Sequence, residues 1–200
     1  QSSDGVWLDL PTTTEQVQAA LRQIGISSDN PQGLFISGYF AEEEKRFAIP
    51  YNIVLASNVD ELNFLASRLE TLSTGERAEL NAALQAPQSE LFSIGRITDF
   101  PENVDYYVHL PDVHGPAQLG DYYLNRSSMV DMPEEWKGGI DTAQFGRYVA
   151  QQEQGAFTQY GYLVKSGDEW QKVHEGQPVP EEYRVLSFPS PEILRDAANI

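Results

Sequence analysis

The sequence predicts an α+β fold laid out in series: a small α+β domain over residues 1–57, a helical domain over 58–108, an α+β domain over 109–165 and a C-terminal extension over 166–200. Three observations carry this reading. Two hundred residues with 40% hydrophobic and 11% aromatic content are enough to bury a core. The spacing of apolar residues changes from about 2 to about 3.6 at Asn58 and returns to strand composition near Asn103. Helix-stopping residues, Pro11, Gly25 and Pro87 among them, fall where one pattern ends.

In the first segment GVWLDL (5–10) has strand composition and ends at Pro11. Thr12 and Glu15 then have capping-box spacing, and Val17, Ala20, Leu21 and Ile24 share one helical face until Gly25. GLFISGYF (33–40) reads as a strand with FAIPY (47–51) as its partner, which makes this segment a small sheet carrying one helix. In the second segment Leu62, Leu65, Leu69 and Leu72 line one helical face, Ser73 with Glu76 caps a further helix through Leu80 and Leu84, and SELFSIGRI (89–97) predicts a third. The third segment opens on a strand in NVDYYVHL (103–110) and continues with a helix in PAQLGDYYLNR (116–126). After the turn-rich PEEWKGG come a helix capped by Asp141 and a strand in AFTQYGYLV (156–164). A hairpin-like DEWQKV and a Pro-rich tail with a short helix at 191–198 follow, and this last stretch reads as an appendage.

Thirteen Lys and Arg against 30 Asp and Glu give a net charge of -17 and a pI near 4.4. Such a field repels nucleic acid and attracts basic surfaces. The four segments carry nets of -4, -6, -3 and -4, so the acidity is spread along the chain and is no low-complexity tail. There is no cysteine, which removes disulfides and thiolate sites and fits a reducing cytoplasm. No apolar run approaches the roughly 20 residues a membrane helix needs. The chain opens on Gln1 rather than Met, as a trimmed fragment would.

Few residues assemble into chemistry. HLPDVH offers His109 and His114 with Asp112 between them, but a proline inside a five-residue gap opposes a preorganised metal pair, and histidines in a loop after a strand are the plainer reading. Adjacent Glu134 and Glu135 read as a solvated face rather than an acid–base pair. The pairs Tyr106, Tyr107 and Tyr122, Tyr123 read as core and boundary packing. No phosphate loop, serine elbow or dinucleotide glycine pattern is present, so neither an enzyme nor a cofactor or metal is expected. What remains is an acidic surface.

Four stretches in order, GVWLDLPTTTEQVQAALRQIG, DELNFLASRLETLSTGERAELNAAL, LGDYYL (119–124) and IDTAQFGRYV (140–149), resemble the ArdA antirestriction proteins of conjugative plasmids and transposons. The likeness covers about residues 5–165. It implies an elongated chain of three small domains, paired into a curved homodimer, that mimics double-stranded DNA in the binding groove of Type I restriction-modification enzymes. Such a protein blocks restriction, and in family members often modification too. The acids expected to stand where phosphates would are Asp60, Glu61, Glu70, Glu76, Glu79, Asp99, Glu102, Asp105, Asp112, Asp121, Asp131, Glu134 and Glu135. The resemblance also places the antirestriction motif, Asp141, Phe145, Gly146, Arg147 and Tyr148, near the dimer contact.

The scale is consistent with mimicry. Duplex DNA carries one charge per about 1.7 Å, so two chains of -17 each match the charge on roughly 58 Å of duplex. A compact chain of 200 residues has a radius of gyration of only about 16 Å, so the charges must lie on an extended scaffold. In the motif helix Phe145, Tyr148 and Val149 are expected to face inward, and Gly146 to permit close backbone approach. Arg147 is then either a pairing residue, tying down an acid within the fold or across a dimer seam, or a plain surface arginine. Two other classes share the composition: an acidic module that inhibits another DNA-binding protein, such as a CRISPR effector or a nucleoid protein, and a metal enzyme built on HLPDVH. A structural role within a larger mobile-element polypeptide fits the start at Gln1.

Overall fold

A computed structural model describes residues 5–26, 34–42 and 46–186. Among them the chain is mixed α and β, with eight α-helices and one small antiparallel sheet. The helices are α1 (Thr14–Gln23), α2 (Tyr51–Ala56), α3 (Val59–Glu70), α4 (Thr74–Gln85), α5 (Ile94–Thr98), α6 (Pro116–Asp121), α7 (Glu134–Lys137) and α8 (Thr142–Gln152). The strands are β1 (Tyr107–Leu110), β2 (Ala156–Thr158) and β3 (Gly161–Lys165), in the order β1-β3-β2.

The central helices form as their sequence dictates. Asn58 with Glu61 closes a capping box on α3 and Ser73 with Glu76 closes one on α4. Leu65, Leu69 and Leu72 are buried with Leu80, which is 0% exposed, against Leu91, Ile97 and Phe100. In α4 the run Leu80 to Leu84 is buried without interruption, so this helix runs through the middle of the core rather than along its edge.

The sheet divides two clusters. Tyr107 and His109 pair with Lys165 and Leu163, and Val108 and Leu110 with Val164 and Tyr162, so side chains of the two registers point to opposite faces. Tyr107 and Leu163 join the helical core; Leu110, Tyr162 and Val164 join a second cluster with Val113 and Leu119. A third cluster holds Val17, Leu21 and Val185. The helical core also takes in Phe47, Ile49 and Ile53 from one side and Tyr160 and Trp170 from the other, so the clusters cross positions 57 and 108.

Several expectations are corrected. No strand occurs at 5–10, 34–40 or 47–50 among the described residues, and 51–56 is α2. Strand-like composition does not suffice without a partner: Val6, Trp7 and Leu10 are all exposed. The backbone there is met by side chains instead, as where Asn81 accepts from Ala48 N at 2.6 Å and donates to Arg46 O at 3.2 Å. The cap of α1 is Thr13 with Gln16, one residue later than Thr12 with Glu15. The helix sought in 89–97 shrinks to α5, and AFTQYGYLV is the hairpin β2–β3. PEEWKGG contains the short helix α7. DEWQKV forms no hairpin, and residues 166–186 are no appendage. They lie across the helical core, held by buried polar side chains, as described below. The helix expected at 191–198 lies outside the described residues.

Candidate functional site

The motif helix and its neighbour are joined through glycine. A Cβ on Gly146 of α8 would meet Pro116 O at 1.8 Å, and one on Gly120 of α6 would meet Thr142 O at 1.9 Å, so both glycines let backbone touch backbone. Asp141 caps α8 by accepting from Gln144 N at 2.9 Å, and Phe145 is half-buried. Tyr148 does not face inward: it is 60% exposed. Two residues on from Gly146, at about 100° each, it points away from α6. Arg147 is exposed and makes no ion pair with any described residue, so no described acid within the fold ties it down.

The thirteen expected surface acids divide by role. Glu70, Asp105, Asp112, Asp131 and Glu135 are exposed and form no ion pair with a described residue. Glu102 pairs with Arg68, Glu134 with Lys137 at 2.6 Å, and Asp121 with Arg126 at 3.2 Å. Glu61 and Glu76 close the caps of α3 and α4, and the Ser73 hydrogen bonds hold the Glu76 carboxyl below its ordinary range. Asp60 accepts from Val185 N and Leu186 N at 2.7 and 2.8 Å. Glu79 is largely withdrawn from water; burial pushes its carboxyl up to about 8, with the charges of Glu76 and Asp105 adding to the shift.

Asp99 is corrected outright. It is 0% exposed and accepts from Val173, His174 and Glu175 backbone N–H groups at 2.7–3.2 Å, so it holds the chain together and presents no charge outside. One ligand atom each from Asp99, Glu102 and His174 lie within 4.8 Å of one another, but the Asp99 oxygens are already engaged. His109 contacts Tyr160 O at 2.7 Å through Nε2, while His114 is exposed. Two shallow grooves, one along 6–9 and α1, the other between Pro87 and Phe157, offer a single titratable side chain, Asp9.

Most of the basic side chains are internally engaged. Of the eleven Lys and Arg among the described residues, six sit in ion pairs. Arg77 donates to Leu72 O and Leu69 O at the end of α3, and Arg184 to Val179 O. Arg96 is enclosed by Glu90, Glu175 and the rings of Phe92 and Trp170. Sequence reasoning missed Glu153, which accepts from Tyr123 Oη at 2.8 Å and from Tyr162 Oη; burial and this bond push both phenols up. It missed Asn63 and Asn103 as well, because a buried amide that binds distant backbone leaves no local pattern.

The model of one protein family, described as antirestriction protein (ArdA), matches residues 2–164. No curated protein matches the chain.

Proposed function

Because the chain belongs to the ArdA antirestriction family, we propose that it protects incoming DNA by standing in for it. As a homodimer in the bacterial cytoplasm, it would present its carboxylates to the DNA-binding groove of a Type I restriction-modification enzyme, block restriction, and block modification where the same groove serves methylation. The observation that carries this reading is the division of charge. Lys and Arg are largely engaged with internal partners, while Glu70, Asp105, Asp112, Asp131 and Glu135 stand exposed with no described cation on them. A groove that neutralises phosphates with Lys and Arg meets the same sign of charge here. The glycine-packed pair α6 and α8 supplies a rigid base for the exposed Arg147 and Tyr148, which we assign to contacts between protomers rather than to the enzyme.

The test is competition. A labelled duplex bound to a purified Type I enzyme should be displaced by stoichiometric protein at low salt. Retention of the duplex at low salt, where the field is least screened, excludes the mimic.

A further inference from the structure

The stretch after β3 crosses from one cluster to another; Ser166 N donates to Tyr106 O at 2.9 Å, and from Gln171 on its backbone is attached to the rest of the chain by polar side chains of the helical middle. Trp170 packs edge-on to Tyr106, with the Arg96 guanidinium over its ring. Asn103 then holds Gln171 by both its N–H, at 2.7 Å, and its carbonyl, at 3.0 Å. Asp99 takes the N–H groups of Val173, His174 and Glu175. Further on, the Phe64 ring lies between His174 and Tyr183, and Asn63 Nδ2 donates to Tyr183 O at 3.0 Å. The other end of that amide, Asn63 Oδ1, accepts from Thr12 N at 2.7 Å, so one buried side chain, 2% exposed, clips both the N-terminal segment and this stretch. The path ends where Asp60 holds residues 185 and 186, and Val185 enters the α1 cluster.

That cluster has three buried members, Val17, Leu21 and Val185, and the third comes from beyond the family match, which stops at 164. We propose that residues 166–186 form a splint: they seat α1 on the helical middle, and α1 holds its native position only while the far end of the splint is attached. An amphipathic helix of ten residues is marginal alone and depends on burial of its apolar face. Val17 and Leu21 find that burial with Val185, and Leu8, Ile24, Ile26, Leu34, Val59 and Leu186 pack around the three. This inference concerns conformation and stands apart from the charge-mimic reading.

Hydrogen exchange of the full chain, followed by mass spectrometry, tests it with the double variant Val185→Ala with Asp60→Ala, which removes both the buried side chain and the acceptor oxygen at the far end. The amides of residues 17–24 should exchange about tenfold faster or more, while those of α4 and α8 keep their protection. Unchanged exchange in α1 overturns the proposal. So does acceleration of α1, α4 and α8 in step, which would make the stretch an ordinary part of one cooperative core.

Discussion

Glu79, within α4, shows how far one carboxylate departs from its neighbours. Folded, it keeps its proton to about pH 8, whereas its ordinary value is 4.5. Between those values the folded chain binds one more proton than the unfolded chain, so stability declines as pH rises from about 4.5 to about 8 and levels off above. Glu79→Gln removes that decline. The variant's thermal midpoint should pull ahead of the parent's between pH 5 and pH 8, by an amount equivalent to about 1–2 kcal/mol once partial exposure is discounted. A constant gap across that range refutes the assignment. Nothing local distinguishes Glu79 from Glu70, nine residues earlier on a neighbouring helix. One faces a packed interior and the other water, and only the packing of α4 against the sheet decides between them.

At the scale of elements, the glycines separate packing from propensity. Gly146→Ala and Gly120→Ala force a methyl into backbone of the facing helix, and each should cost about 1–3 kcal/mol or more. Gly75, in the first turn of α4, has nothing within 4 Å of a Cβ, and Gly75→Ala should stabilise by about 0.5–1 kcal/mol. Chemical denaturation of the three variants checks both signs. The helices with their own caps and apolar faces, α3, α4 and α8, were legible in the sequence, because a cap and an apolar stripe are local signals. The N-terminal segment was not: its aromatic and β-branched residues read as strands, but Tyr39 Oη reaches Ile49 O and Tyr51 Oη reaches Ser37 O in place of a ladder. The glycine contact between α6 and α8 was anticipated at Gly146, yet its counterpart Gly120 emerged only when the two helices met.

Over the whole molecule, the charge works collectively. Neutralising one exposed acid, as in Glu135→Gln, should change binding to a Type I enzyme by under about 1 kcal/mol. Reversing Glu70, Asp105, Asp112, Asp131 and Glu135 together to Lys should abolish displacement of the duplex while leaving the melting curve near that of the parent. Competitive binding measured across a salt series reads both, since the parent's affinity should fall steeply with added salt. A single neutralisation that abolishes binding points instead to one specific contact. The excess of acid was visible in composition. Which acids are structural was not, because Asp60 and Asp99 act on backbone more than seventy residues away.

The hubs under residues 166–186 grip main chain rather than side chains. Asp99, Asn103 and Asp60 read N–H groups, so at exposed positions the identity of the residue offering each one is largely free to drift, while buried Val185 is held by its side chain as well. Exposed Gln171 and Val173 are places where almost any side chain fits. Proline is the exception at positions 171, 173, 174, 175, 185 and 186, for it alone arrives with no hydrogen to give.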